Sequence, residues 1–269
     1  MIQSRRSRAT LNVIVILLYI FLLAPIIIVV LAAFNSGEYL RFPPEGFSLR
    51  WFGNFINSRS FIRAFSFSLR LAALVTVLST VIGTLMALYA VRYTRRQLQN
   101  VIQLLMLAPL QFPAILTGIA LLIYFYALNF ATRGSLGLII GHTLVCLPYT
   151  FLMVATVLVG FDRSLEEAAR NLGAGPLITF WRVTLPIIKS GIISGAIFAF
   201  IVSFDQFPIS LLLAGVGTTT LPIQLFDYLR FSFDPTAAAV STVSIFMTVV
   251  AVVATERLVG LESLYFGGR

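Results

Sequence analysis

An acid stands inside an apolar run: Asp205 follows Phe198, Ala199, Phe200, Ile201, Val202, Ser203 and Phe204, and Gln206 comes next. A carboxylate in such surroundings is costly to bury and is kept where it has work to do. Three roles are open to it: binding a cationic solute, holding a break in the backbone, or capping a helix end at a water boundary. Ser203, Asp205 and Gln206 form one candidate solute set, with Gln111 added from another apolar run. His142 is the one histidine and lies beside Gly141 and Thr143. A lone histidine is more often a packed, hydrogen-bonded residue than a ligand, and no metal-binding set surrounds it. No Ser/His/Asp or Cys/His arrangement is visible, so catalysis by this chain has no support. The sequence also lacks a G-x-x-x-x-G-K-[ST] run, so it has no P-loop for ATP. No cofactor is expected on this chain.

The second segment with chemical character is Asp162-Arg163-Ser164-Leu165-Glu166-Glu167-Ala168-Ala169-Arg170-Asn171-Leu172-Gly173-Ala174-Gly175-Pro176. It predicts a short helix over about 163–173. Ser164 and Glu167 have capping-box spacing, and Asp162 offers a second cap. Gly173 suits the helix end and Pro176 prevents its restart. Leu165, Ala168 or Ala169, and Leu172 fall on one face. The acids sit at the positive end of the helix dipole. Such a helix either docks a partner or lies on the bilayer as an amphipathic loop.

The elements that hold these residues are membrane helices. The chain has 269 residues, 59% hydrophobic and 11% charged, with mean hydropathy +0.97. A soluble domain carries about 25% charged residues, and one of this size cannot hide so much apolar surface in a single core. Six runs have the roughly 20 apolar residues that a span needs: Leu11–Ala33, Leu69–Val91, Val101–Leu128, Leu136–Val159, Leu185–Phe207 and Pro235–Ala254. Together they predict an all-α membrane protein, one transmembrane domain over 1–269. The first is too long for a signal-peptide core and reads as a retained helix. Pro109 and Pro113 predict a kink in the third. Gly191 and Gly195 form a small-xxx-small pair for close helix packing in the fifth.

Eighteen of the 19 basic residues are arginine. With the N-terminus inside, the inner loops take 12 (Arg5, Arg6, Arg8, Arg92, Arg95, Arg96, Arg163, Arg170, Arg182, Lys189, Arg257, Arg269). The outer side takes 7 (Arg41, Arg50, Arg59, Arg63, Arg70, Arg133, Arg230). This favours N-in, C-in, and places the 163–173 helix in the cytoplasm. The positive charge is thus read as topology and contact with anionic lipid headgroups, with no nucleic acid as partner. Phe34–Ser66 predicts a folded external cap containing Trp51, Phe52 and Phe55. After Thr220-Leu221-Pro222 a short amphipathic stretch is expected, with Thr220 as cap and Asp227 placed to pair with Arg230.

The stretch Glu167-Ala168-Ala169, then Gly173 after three residues, then Val183, Leu185 and Pro186, resembles the EAA loop of ABC importer permeases. The spacing agrees over the 20 residues from Glu167 to Pro186, with Val183 where isoleucine is usual. The resemblance covers nearly the whole chain. It implies a type I ABC importer permease fold with a cytoplasmic coupling helix between the fourth and fifth spans. Glu166, Glu167, Ala168, Ala169, Arg170, Leu172 and Gly173 would be its ATPase-coupling residues. It further implies a cytoplasmic ABC ATPase dimer that holds the ATP and magnesium, a second homologous permease subunit (a heterodimer), and an external solute-binding protein. Ser203-Phe204-Asp205-Gln206 and Pro109-Leu110-Gln111-Phe112-Pro113-Ala114 resemble the spermidine/putrescine-type subfamily. Gln206 and Ala114 stand where that subfamily often has acids. The expected solute is therefore a polyamine first, with a less cationic amino compound or aminophosphonate behind it. A secondary carrier often shows inverted repeats and paired broken helices, and the sequence displays neither; a membrane enzyme or scaffold without an ATPase is the other alternative.

Overall fold

The structure is a computed structural model, described over residues 5–129 and 134–259. Arg133 and Arg269, two of the arginines counted for orientation, lie outside the described residues. Among the described residues the secondary structure is helical, with a single bridge between Asn35 and Phe47. The elements are α1 (Arg5–Ala33), α2 (Arg50–Asn57), α3 (Arg59–Leu88), α4 (Arg96–Gln111), α5 (Ala114–Ala127), α6 (Leu136–Val159), α7 (Ser164–Asn171), α8 (Pro176–Thr179), α9 (Leu185–Phe204), α10 (Phe207–Leu213), α11 (Leu221–Leu229) and α12 (Thr236–Val259). Two π-helical turns extend them: Tyr89–Tyr93 closes α3, and Phe180–Thr184 joins α8 to α9. Five helical stretches are long and apolar enough to cross a membrane, and α4 with α5 make a sixth as a bent pair.

The chain falls into two compact units, one of Met1–Ile62 with Leu225–Met247, the other of Arg63–Gln224 with Thr248–Arg269. In the first unit the Leu11–Ala33 stretch of α1 is exposed along nearly its whole length, as a helix facing lipid must be. The external cap is organised around Asn35. Its Nδ2 donates to the Tyr39 carbonyl, and its Oδ1 accepts from the backbones of Gly37 and Glu45. Trp51 Nε1 donates to the Asn35 carbonyl at 2.6 Å, and Phe34 packs its ring against Phe47 and Phe52. The cap is shorter than expected, because α3 begins at Arg59, well before Leu69. Arg59, Arg63 and Arg70 therefore stand on a helix, not in a loop. Arg230 does not pair with Asp227; its guanidinium lies over the rings of Phe226 and Phe231.

The second unit carries two apolar clusters. One joins Leu71 and Val75 of α3, Phe125 of α5, Leu138, Val145 and Cys146 of α6, Ala199 of α9, and Ile209 and Leu213 of α10. The other, at the opposite end, joins Ala87, Ala90, Ile102, Phe151, Val154, Leu158 and Ile188. Helices α6 and α9 approach until their backbones touch. A Cβ on Gly191 would lie 2.7 Å from the Met153 carbonyl oxygen, and one on Gly195 2.9 Å from Thr150 Cα. The small-xxx-small reading thus holds, and its physical content is backbone proximity. The single kinked span expected for 101–128 is two helices bent by 104°. The cause is local: Pro113 has no N–H and forces Phe112 into the extended region, at φ −105° and ψ 144°. Thr220 does not cap α11 with its hydroxyl; Ser68 Oγ of α3 accepts from the Leu221 N–H instead, at 2.8 Å.

Gly195→Leu is expected to force α6 and α9 apart, at a cost of about 1–3 kcal/mol for overpacking. Thermal unfolding of the detergent-purified protein measures it, with Gly160→Ala, where a Cβ meets nothing closer than 3.8 Å, as control. Equal melting of both variants would show that this contact does not hold the helices together.

Candidate functional site

The predicted cytoplasmic helix forms as α7, and its ends are built differently from the capping-box expectation. Ser164 is the first helical residue, and its side chain makes no cap. Asp162 provides the cap: its Oδ1 accepts from the Ser164 N–H at 2.9 Å. That bond holds the Asp162 carboxyl below the usual carboxylate range. At the other end Gly173 takes φ +88°. Its N–H bonds to the Arg170 carbonyl, and the Ala174 N–H to the Ala169 carbonyl, which is a Schellman stop. Glu167, Ala168, Arg170 and Gly173 are exposed, and Leu165 and Leu172 present 49% and 89% of their surfaces. A helix of this length cannot persist alone in water. It is held by Glu166.

Thr184 Oγ1 donates to Glu166 Oε1 at 2.6 Å, and Arg92 Nη2 lies 3.4 Å from the same oxygen. The two side chains of the ion pair keep 7% and 14% of their exposure, so water screens the pair little. The Arg92 guanidinium stacks 4.5 Å above Phe161, while its Nε, Nη1 and Nη2 are buried and make no hydrogen bond among the described residues, so Nη2 meets Glu166 as an ion pair only. Arg163 Nη2 adds a bond to the Val91 carbonyl at 2.8 Å. One carboxylate thus joins α7 to the π-turn of α3 and to the π-turn that feeds α9. A π-turn inserts one residue and rotates the helix beyond it. Arg92 and Thr184 each sit in such a turn. The group lines a cavity of about 280 Å³ bounded by Arg92, Arg163, Glu166, Glu167, Arg170 and Thr184. The sequence pointed to Glu166 but not to its partners. Arg92 counts there only as a loop charge, and Thr184 occupies the unspecified position between Val183 and Leu185.

At the other end of α9, Asp205 terminates the helix and Gln206 is extended, after which α10 starts at Phe207 with Pro208 in its first turn. The backbone is therefore broken at the acid. Asp205 is exposed and Gln206 half-buried. Among the described residues nothing bonds to the Asp205 carboxylate. Ser203 is not open to solvent: it is buried, and its Oγ lies 3.0 Å from His142 Nδ1. Gln111 ends α4 at the 104° bend and is exposed. His142, which the sequence offers only as a packed residue, is buried between Ser203 and Ser210.

A multi-span helical bundle with a capped surface helix clasped between two spans is a permease architecture. Residues 79–260 match the family of binding-protein-dependent transport system inner membrane components, and the chain belongs to it. It is a multi-pass inner-membrane protein and a non-catalytic permease subunit. It is 36% identical over 235 residues to the putrescine transport system permease protein PotI of Escherichia coli (strain K12), covering 86% of this chain and 83% of that one. To the spermidine/putrescine transport system permease protein PotC of Haemophilus influenzae it is 29% identical over 247 residues, covering 92% and 95%. Among solved structures it resembles a bacterial ABC transporter involved in import of the acidic polysaccharide alginate, with TM-score 0.68, 19% identity, and 97% and 98% coverage. The MetNI methionine ABC transporter, inward-facing, gives TM-score 0.61 at 20% identity, covering 74% and 94%. These two likenesses establish the fold.

Glu166→Ala leaves Arg92 as an uncompensated buried charge, a loss of about 3–5 kcal/mol where such pairs are broken from one side. Amide hydrogen exchange over 161–176 is expected to accelerate in this variant. It should recover in part when Arg92→Leu is added, because the orphaned charge is then gone. Unchanged exchange in Glu166→Ala would show that α7 is held by something else.

Proposed function

We propose that this chain forms one half of a polyamine import pathway and that α7 is the helix through which a cytoplasmic ATPase drives it. The observation that carries the coupling role is the double attachment of Glu166. The face of α7 turned away from Arg92 and Thr184 offers Leu165, Ala168 and Leu172 to a partner groove, with exposed Glu167 at its edge beside the cavity. Small alanines permit close approach, and the exposed leucines supply apolar area at the contact. A displacement of α7 passes to α3 through Arg92 and to α9 through Thr184. Glu166 would transmit the motion, while Glu167, Ala168, Ala169, Arg170, Leu172 and Gly173 meet the ATPase. Nucleotide and magnesium belong to that ATPase, and a non-identical second permease and an external solute-binding protein complete the assembly.

The names of the relatives support a polyamine as solute. So does Asp205, an exposed carboxylate without a protein partner at a helix break, suited to an alkylammonium. Gln206 and Gln111 would offer neutral amide oxygens to the same kind of cation. Gln206 in place of a second acid fits a solute with fewer or more widely spaced charges, such as a diamine.

Two outcomes test this reading. Glu167→Lys should abolish putrescine uptake in cells while the chain still reaches the membrane and co-purifies with its permease partner; normal uptake would refute ATPase docking through this face. Asp205→Asn should raise the apparent KM for putrescine about tenfold, the equivalent of one charge-assisted hydrogen bond. An unchanged KM would remove Asp205 from the solute pathway.

A further inference from the structure

His142 stands in the second turn of α6, 1% exposed, with one ring nitrogen on each side of the α9–α10 break. Its Nδ1 lies 3.0 Å from the Oγ of Ser203, just before Asp205. Its Nε2 lies 3.0 Å from the Oγ of Ser210, one helical turn after Gln206. Both serines are buried, at 3% and 0% exposure. Ser210 Oγ also donates to the carbonyl of Gln206, inside the break itself.

Proton counting fixes the direction of this chain. A hydroxyl has one hydrogen to give. Ser210 uses it on the Gln206 carbonyl, so its oxygen accepts from His142, and Nε2 carries the imidazole hydrogen. Nδ1 then offers a lone pair, and Ser203 donates to it. Every polar atom in the buried chain is satisfied with the imidazole neutral. The result is one line of bonds from Ser203 O–H through the ring to Ser210 and on to the Gln206 carbonyl. It spans the gap where α9 has lost its helical hydrogen bonds and α10 has not yet begun. At the break the Gln206 carbonyl is met by Ser210 of α10, and His142 of α6 fastens that serine and Ser203 on the other flank through their hydroxyls. The surroundings are packed tightly as well. A Cβ on Gly141, the residue preceding His142, would lie 2.6 Å from Leu213 and 2.9 Å from Ile209 of α10.

We infer that His142 is a positioning residue for the solute pathway: by bonding Ser203 and Ser210 it fixes the Asp205-Gln206 break in place. The part that concerns solute rests on Asp205 being a solute residue, as proposed above. The ring touches no solute; it sets where the acid points.

A triple variant separates positioning from simple burial of polar groups. His142→Phe alone leaves the buried Ser203 hydroxyl without its acceptor and Ser210 with the Gln206 carbonyl only, and risks misfolding. His142→Phe with Ser203→Ala and Ser210→Ala removes both hydroxyls while keeping an aromatic ring at the centre, so folding should survive. Two measurements are made on this triple variant, in the intact transporter. The first follows modification of Asp205→Cys by a membrane-impermeant maleimide, in a Cys146→Ala background, and needs no solute. The expected result is a severalfold change in labelling rate relative to the chain with His142, Ser203 and Ser210 intact; an unchanged rate overturns the inference. The second is the KM and maximal rate for putrescine with Asp205 in place. The triple variant should raise KM about tenfold, as Asp205→Asn does, because both lose one properly placed charged contact. A changed labelling rate with KM unaltered in both variants supports the positioning of the break and refutes Asp205 as a solute residue instead.

Discussion

The carboxylate of Glu166, shared between the Arg92 guanidinium and the Thr184 hydroxyl, is the interaction on which the cytoplasmic end of this subunit depends. It joins three elements, α7 and the ends of α3 and α9, and the Arg163 bond to the Val91 carbonyl reinforces the first of these ties. α7 is too short to be stable by itself, and its N-terminal and C-terminal stops only define its length. Its orientation comes from Glu166. The low exposure of the pair makes the attachment strong when complete and damaging when half removed. This is the property required of a joint that must move as a unit. Both partners sit in π-turns, Arg92 in the one that closes α3 and Thr184 in the one that feeds α9.

The same economy recurs at the far end of α9. There the backbone is interrupted beside Asp205, and a single imidazole from α6 bonds one serine hydroxyl on each flank. Two of the buried polar groupings thus sit where helices deviate from regular geometry, while Thr150 of α6 bonds the Ser79 carbonyl within the regular part of α3. The apolar clusters between them need only fill space, helped by glycines that let α6 and α9 touch. Stability and mechanism are divided accordingly: close packing along the helices, hydrogen-bonded junctions at their irregular ends.

Much of this was legible in the sequence, for identifiable reasons. Apolar runs longer than any soluble core element declare membrane helices, and the glutamate, twin alanines and glycine at fixed spacing declare the surface helix. Asp162 and Gly173 were visible as punctuation because capping acts over a few residues. Ser164 was misassigned as a cap, since Asp162, just before it, takes over the capping with its own carboxylate. The Phe112-Pro113 break was read as a kink because proline reveals that a helix is disturbed, not by how much. What stayed hidden were the pairings across distance: Arg92 with Glu166, and His142 with Ser203 and Ser210. Their separations, 61 and 68 residues for the histidine, are set by tertiary packing and leave no periodic trace.

The stretch from Pro176 to Phe204 is one continuous helical element of 29 residues, about 40 Å long at the usual rise. It begins shortly after the Schellman stop that ends α7 and finishes at Asp205. Mechanically it is a lever arm with one end beside α7 and the other at Asp205. A tilt of only about 5° sweeps the tip of such an arm through roughly 3–4 Å, comparable to the width of an ammonium group with its first contact shell. The right-angle elbow at Phe112-Pro113 cannot carry thrust in that way. The subunit therefore contains one unbroken limb, from Pro176 to Phe204, and one limb folded at Phe112-Pro113.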